Sequence, residues 1–242
     1  MNAYSGNSFT PRICLKIETL NNNQLIILLI VFTVFNCSAQ TDSKKRPNIL
    51  FIMMDDAGLD MSIYGSTYVN TPAFDKIAKE GILFNNAYTP NAKCAPSRSA
   101  VMTGRNSWQL DAAANHYIYF APHFKTYQKV LLEHGDFTGH TGKGYAPGKT
   151  LTENGEQRQV MGKPYNIHKL KAPTTAISPK DYTKNFETFL SEAPKDKPWS
   201  FWVGFHEPHR KYEFGTGEKL GKKTPDMIKE VPKYWPDCAS LI

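Results

Sequence analysis

The chain has 242 residues, which is the length of one large domain or of part of a larger one. Its hydrophobic fraction of 40% and charged fraction of 21% are those of a globular protein, which excludes a largely disordered chain. The net charge of +7 favours anionic partners, but the lysines are scattered and form no nucleic-acid motif, so we expect no nucleic-acid partner.

The first 40 residues are typical of a leader with a signal peptide. An apolar run, Leu25 to Phe35, is too short to span a bilayer comfortably, and Arg12 and Lys16 precede it. Small residues follow, so cleavage after Ala39 and lipid attachment to Cys37, as in bacterial lipoproteins, both stay open. A membrane anchor or buried helix is the alternative. We predict an exported protein, either periplasmic, secreted or an outer-membrane lipoprotein, which contacts the membrane only through a lipid on Cys37.

A polar linker, residues 41–46, precedes an apolar run from Ile49 to Met54. The run shows no alternation, which predicts a strand buried on both faces of a parallel sheet. Asp55 and Asp56 follow directly, where open α/β sheets bind ligands, and a divalent cation would relieve the repulsion between adjacent carboxylates. A solvated turn explains this local pattern equally well.

A threonine cap, a proline start and a glycine end predict a helix over residues 71–81. Its apolar stripe consists of Phe74, Ile77 and Ala78, which should face the core. Residues 82–84 then favour a short strand. The order of strand, helix, strand and helix indicates an α/β layered fold.

Residues 91–105 predict a loop that runs into a helix, with Pro96 in the first turn and Gly104 at the end. Cys94 would lie just before the helix N-terminus, where backbone N–H groups and the helix dipole attract anions. Arg98 adds a positive fork one turn later. This constellation suits nucleophilic catalysis, whereas a buried structural cysteine is the plainer interpretation of Cys94 alone.

A further helix is predicted before Gly135, and residues 137–142 predict a strand that enters a glycine-rich loop. The inward face of that helix is expected at Tyr127, Val130, Leu131 and His134. Glycines in the loop allow the backbone to approach an anion closely, and Lys143 would supply positive charge, although a surface lysine is commoner.

Residues 151–175 are uninformative, and two more elements follow them. Residues 179–193 predict a helix whose inward side chains are Tyr182, Phe186, Phe189 and Leu190. Residues 199–205 predict a strand that delivers His206 and His209 at its carboxyl end, although their spacing is no zinc signature.

The segments Cys94-Ala95-Pro96-Ser97-Arg98 and Thr103-Gly104-Arg105 resemble the signature of type I sulfatases, Cys-x-Pro-Ser-Arg with a downstream Thr-Gly-Arg. The resemblance covers roughly residues 46–236. It implies an alkaline-phosphatase-like α/β sandwich with a central, mostly parallel sheet, of which this chain is the N-terminal portion. Because that family takes further metal ligands from later in the chain, we expect residues 47–242 to be a truncated part of the catalytic domain.

In that family a maturation enzyme oxidises the cysteine to formylglycine, whose hydrated aldehyde attacks the sulfate sulfur and later expels sulfate. The resemblance implies that Cys94 is the nucleophile and that Asp55, Asp56 and the oxidised Cys94 bind Ca²⁺, with Mg²⁺ as the alternative. It implies Arg98, Lys143 and His206 as further catalytic groups at the sulfate. The substrate-binding residues would be Lys143, His206, His209 and Arg210, although a structural histidine is the plainer interpretation of His209.

One departure concerns the segment after Lys143. Many sulfatases continue Thr-Gly-Lys with Trp-His or a similar pair, but this chain has Gly144-Tyr145, so the histidine that helps to expel sulfate is not in its usual place. The sequences around Lys143 and His206 resemble the sulfamidase and glucosamine-sulfatase branch, which implies a sulfated glycosaminoglycan of the heparin or heparan sulfate type. A phosphonate or phosphate ester hydrolase and an inactive fragment are the alternatives.

Overall fold

The computed structural model describes residues 21–23, 46–67, 69–175, 177–209 and 213–227. The chain divides into two compact units, residues 1–45 and 46–242. Three predictions concern residues outside these ranges: the leader apart from residues 21–23, the lipid site at Cys37, and the substrate-binding residue Arg210. Within the described ranges, no helix has the length and apolar character needed to cross a membrane.

The second unit contains both strands and helices, mixed along the chain. The helices are α1 (Pro72–Glu80), α2 (Cys94–Thr103), α3 (Tyr127–Glu133), α4 (Tyr182–Glu192) and α5 (Thr216–Gly221). The strands are β1 (Ile49–Asp55), β2 (Ile118–Tyr119), β3 (Phe137–Gly142), β4 (Gly148–Lys149), β5 (Lys163–Pro164) and β6 (Trp199–Pro208). Short 3₁₀ helices occur at Ser62–Tyr64, Ser107–Gln109, Asp111–Ala114 and Pro225–Met227.

The main sheet has the strand order β1-β6-β3-β5, and every neighbouring pair is parallel. The predicted α/β class with a parallel central sheet is therefore confirmed. Parallel strands end at the same edge, so the ends of β1, β3 and β6 bring Asp55, Lys143 and His206 to one side of the sheet. A second, small sheet pairs β2 with β4 in parallel.

Successive side chains of the central strand β6 point to opposite faces of the sheet, and a hydrophobic cluster covers each face. Trp202 packs with residues of α2, including Met102, and stacks on Phe51 with ring centroids 4.7 Å apart. Phe201 packs on the opposite face against Phe189 of α4, with centroids 4.4 Å apart. Helix α2 is thereby fixed on one face of the sheet, and its first residue lies near the carboxyl edge.

Two glycines let the backbones of β3 and β6 approach each other at their ends so closely that neither position has room for a Cβ atom. Gly142 has a φ of 77°, and a Cβ there would lie 2.0 Å from the carbonyl oxygen of Gly204. A Cβ on Gly204 would lie 1.8 Å from the carbonyl oxygen of Lys143. The Lys143 N–H donates to the Gly204 carbonyl at 2.7 Å, so this contact determines where Lys143 lies.

We therefore expect Gly204→Ala to destabilise the protein by about 3 kcal/mol or more, since the added methyl must push backbone away from backbone. Gly217→Ala is the matched control, because the nearest atom to a Cβ there, the Lys223 carbonyl oxygen, is 3.8 Å away. Denaturant unfolding of both variants measures the difference. Equal stabilities for the two variants would contradict the close approach of β3 and β6.

His140 on β3 is largely buried, and this burial lowers its pKa to about 4, although Nδ1 lies 3.2 Å from the Gly162 carbonyl oxygen. The unfolded chain binds a proton at His140 near pH 6.5, whereas the folded chain resists protonation until about pH 4. Stability is therefore fully present above pH 6.5 and is lost as the pH falls towards 4.

The pH dependence of unfolding should accordingly weaken in His140→Gln, which carries no ionisable group. The free energy of unfolding of the unsubstituted protein should fall by up to about 3 kcal/mol over this interval, and the variant should lose much of that slope. The exposed His134, substituted in the same way, is the control and should keep the full slope. A variant slope identical to that of the unsubstituted protein would show that other groups cause the acid lability.

Several predictions about which side chains are buried are wrong. Strand β1 forms and pairs as predicted, but within the described sheet it is an edge strand, and Leu50 and Ile52 are 42% and 49% exposed. In α1 the predicted inward residue Ile77 is exposed, and α1 contains no buried residue. Residues 82–84 form no strand, because no neighbouring strand pairs with them.

The predicted helical faces of α3 and α4 are partly confirmed. Phe189 is fully buried as predicted, with Tyr182 and Phe186 packed against the same cluster. Three residues expected to face inward are exposed instead, namely Val130, His134 and Leu190. Gln128 and Asn185 occupy buried positions on these helices, and Asn185 hydrogen-bonds the backbone oxygens of His168 and Asp181.

Candidate active site

A cavity of about 410 Å³ opens beside the carboxyl end of β1 and the N-terminus of α2. Its wall contains most of the site residues predicted from the sequence, together with Lys93 and His116, which were not predicted. The chemically functional side chains among the lining residues are Asp55, Asp56, Lys93, Cys94, Arg98, His116 and His209. Lys143 contacts this cavity wall through Asp55, whereas His206 does not line the cavity.

Cys94 is the first residue of α2, one position further into the helix than predicted. Lys93 precedes it with extended backbone and accepts the N–H of Ser97 at 3.0 Å, which closes the first turn. Gly104 ends the helix as predicted, with a φ of 66° and its N–H bonded to the Ala100 carbonyl. The partly buried Cys94 thiol therefore lies where the helix dipole favours negative charge.

Asp55 holds two cations in a largely buried network. Its Oδ2 accepts from Lys143 Nζ at 2.5 Å, and its Oδ1 lies 3.4 Å from Arg98 Nη2. The second guanidinium nitrogen of Arg98 donates to the Lys143 carbonyl at 2.7 Å, and the Trp202 indole N–H reaches the same oxygen at 3.0 Å. Arg98 thus fixes both the backbone of Lys143 and the carboxylate that binds its side chain.

Burial lowers the pKa of Arg98, and the charge of Asp55 opposes this effect. A guanidinium stays protonated in proteins, so Asp55, Arg98 and Lys143 form a group with net positive charge at the cavity wall. An anion entering from the cavity would be attracted both to this group and to the N-terminus of α2.

The two adjacent carboxylates were predicted to bind a metal. Asp55 and Asp56 line the same cavity as Cys94, and their hard oxygens suit Ca²⁺ or Mg²⁺. Asp56 has a φ of 67°, a left-handed conformation that turns the chain sharply after β1. Calcium takes about six to eight oxygens, and the described residues contain no group of three or more His, Cys, Asp and Glu that could hold a metal. The oxygen donors of Asp55 and Asp56 are chemically suited to such an ion, and the two carboxylates would be part of a ligand set.

His206 and His209 lie at the end of β6, as predicted. The His206 N–H donates to the Tyr182 hydroxyl at 3.1 Å, and burial lowers the pKa of its imidazole, with nearby Glu207 opposing and Lys143 adding to the shift. The His209 N–H donates to the Asp55 carbonyl at 2.9 Å, which ties the end of β6 to the carboxylate pair.

His116 was missed by the sequence analysis. Its Nε2 lies 3.2 Å from Cys94 Sγ, and its pKa is lowered, first by burial and then by Lys93 and Lys143. His116 follows a 3₁₀ helix that Ser99 of α2 anchors by donating to the Ala113 carbonyl at 3.0 Å. No local sequence pattern identifies this histidine, because its partner is distant in sequence and the two meet only in the folded chain.

Residues 47–234 match the family model for Sulfatase, which covers most of the chain. The chain belongs to the sulfatase family. This confirms the resemblance that the signature at Cys94 carries, including its similarity to glucosamine sulfatases.

Two curated sulfatases illustrate that similarity. One is N-acetylglucosamine-6-O-sulfatase of Bacteroides thetaiotaomicron, 28% identical over 215 residues that make up 85% of this chain and 38% of the relative. The other is N-sulphoglucosamine sulphohydrolase of Homo sapiens, 30% identical over 215 residues, with 81% of this chain and 39% of the relative covered. The chain therefore spans less than half the length of these relatives.

A solved structure is similar in fold. The crystal structure of Ps i-CgsB superposes with a TM-score of 0.51 and 22% identity, over 77% of this chain and 50% of that one. At this identity the likeness concerns the fold alone, and it agrees with the alkaline-phosphatase-like α/β class expected of a sulfatase.

Proposed function

We propose that this chain forms the nucleophile-bearing part of a formylglycine-dependent sulfatase that removes sulfate from glucosamine units of a glycosaminoglycan. The observation that carries the proposal is that Cys94, at the N-terminus of α2, lines one cavity with Asp55 and Arg98, which both bind Lys143. A nucleophile at a helix N-terminus, beside two fixed cations, suits attack on a tetrahedral oxyanion.

The maturation enzyme would convert Cys94 to formylglycine, whose hydrate supplies one hydroxyl for attack on sulfur and a second that allows sulfate to leave. Lys143 and Arg98 stabilise negative charge that develops on the sulfate oxygens. Asp55 and Asp56 would hold Ca²⁺, or Mg²⁺, next to position 94, where the metal would act as a Lewis acid on a sulfate oxygen. Asp55 meanwhile keeps Lys143 in place through their ion pair.

The glucosamine preference is supported by the relatives, whose names specify N-acetylglucosamine 6-O-sulfate and N-sulphoglucosamine as substrates. We propose Lys143, His206, His209 and Arg210 as substrate-binding residues, and heparin or heparan sulfate as the polymer. The net charge of +7 suits a polyanionic glycan.

Mass spectrometry of the Cys94 peptide, after co-expression with a maturation enzyme, tests the proposed nucleophile directly. We expect the thiol to be replaced by an aldehyde or its hydrate. An unmodified thiol in the presence of active maturation enzyme would overturn the mechanism.

Sulfate release from matched disaccharides tests the substrate class. Heparin-type disaccharides should be desulfated in a reaction that a chelator stops, and chondroitin-type disaccharides should remain intact. The reverse preference would overturn the glucosamine assignment, and faster hydrolysis of a phosphate diester than of a sulfate ester of the same alcohol would overturn the reaction class.

A further inference from the structure

We propose that His116 takes over the role of the histidine that is missing at Tyr145, by accepting a proton from the residue-94 hydroxyl when sulfate is expelled. This inference rests on the proposed function and assigns one of its steps to a residue of this chain. The geometric basis is the 3.2 Å separation between His116 Nε2 and Cys94 Sγ, in a cavity that both residues line.

The position of His116 is fixed from both sides along the chain. On one side, the Ala113 carbonyl accepts from the buried Ser99 hydroxyl of α2, the helix that carries Cys94. On the other side, the Tyr117 N–H donates to the Pro147 carbonyl at 3.1 Å, and β2 pairs with β4 from Ile118 onwards. Because α2 and the loop after β3 hold this segment, the imidazole is placed against position 94 by the fold.

Tyr145 cannot serve at position 94, because it belongs to the core. Its ring is 8% exposed and packs against Phe120 with centroids 5.1 Å apart, and its hydroxyl donates to the Ile118 carbonyl at 3.2 Å. Tyr145, which stands where many sulfatases have the histidine, therefore supports β2 through Ile118. Ile118 lies two residues after His116. Tyr145 thus helps to hold the segment that carries the alternative histidine.

Nε2 of His116 takes the proton from the free hydroxyl on the residue-94 carbon. The O–H electron pair forms the new C=O bond, and the pair of the C–O bond to sulfate leaves with the sulfate ion. No oxidant or further reactant is needed, and the proton on His116 passes to solvent through the open cavity before the next cycle. A neutral imidazole with a free Nε2 is the form suited to this step.

The test compares His116→Ala with His123→Ala in the matured protein, since His123 is an exposed histidine of the same region. We expect kcat to fall by about 10²-fold to 10⁴-fold in His116→Ala and to remain unchanged in the control. The decisive readout is the mass of the residue-94 peptide after quenching with substrate present. In His116→Ala it should carry one sulfate group, whereas in the unsubstituted protein it should be free of sulfate.

Two additions separate proton transfer from a structural role. Added imidazole should restore turnover of His116→Ala and clear sulfate from the peptide, which it would not do for a merely misfolded protein. If His116→Ala fails to fold or to mature, His116→Gln keeps a similar polar side chain without a basic nitrogen, and it should retain sulfate in the same way. Turnover of either variant at the unsubstituted rate, with no retained sulfate, would overturn the inference.

The same peptide distinguishes this inference from the proposed function. If the unsubstituted protein shows an unmodified Cys94 or releases no sulfate, the proposed function fails. If the unsubstituted protein matures and turns over while the His116 variants do so equally well, only the role of His116 fails.

Discussion

Replacing Cys94 by alanine is expected to abolish sulfate release, with kcat falling by about 10⁴-fold or more, as for removal of other enzyme nucleophiles. The loss follows because the variant lacks the sulfur-bearing carbon that is proposed to become the nucleophile at the N-terminus of α2. Release of inorganic sulfate from a heparin-type disaccharide measures the effect. Ser97→Ala, in the same first turn, is the control and should retain most of the activity.

Cys94→Ser refines this prediction. A serine keeps one oxygen on the reacting carbon but lacks the second oxygen that lets sulfate leave. We therefore expect no more than one substrate cleaved per protein molecule and a sulfate group that remains on the residue-94 peptide. Continuous turnover by Cys94→Ala or Cys94→Ser, in protein freed of other sulfatases, would exclude Cys94 as the nucleophile.

The elements that the sequence predicted well are those whose signals are local. Strand β1 extends one residue and strand β6 three residues beyond the predicted bounds, and Gly104 ends α2 as predicted. Burial was predicted less well, because it depends on what packs against an element rather than on the element itself. Ile52 and Ile77 follow core-like patterns, yet 49% and 64% of their surfaces are exposed in the described structure.

The candidate site shows the same division. Cys94 and Arg98 follow from the signature and Asp55 from the carboxylate pair after β1, and the fold brings all three to one cavity. Their mutual contacts do not follow from the signature. The backbone oxygen of Lys143 is the acceptor for Arg98, and this bond depends on the close approach of Gly142 and Gly204. His116 likewise becomes visible only when α2 and the following 3₁₀ helix pack together.

The second large effect is expected from Asp55→Asn, which removes the counter-charge of two buried cations. The side chains of Asp55, Arg98 and Lys143 are 6%, 2% and 11% exposed, so water screens the orphaned charges poorly. Removing one partner of a buried ion pair costs about 3–5 kcal/mol of unfolding free energy. Asp56→Asn is the matched control: Asp56 is exposed, and asparagine tolerates its left-handed backbone, so we expect a change within about 0.5 kcal/mol.

Unfolding by urea with a chelator present measures this cost without any contribution from bound metal, which both aspartates are proposed to ligate. The double variant Asp55→Asn with Lys143→Met removes one charge of each sign, so it should recover part of the stability lost in Asp55→Asn. It should nevertheless remain inactive, because the cation proposed to bind sulfate is gone. Strict additivity of the two substitutions would show that the ion pair between Asp55 and Lys143 contributes no coupling energy. An Asp55→Asn variant as stable as Asp56→Asn would show that the buried cations do not depend on Asp55.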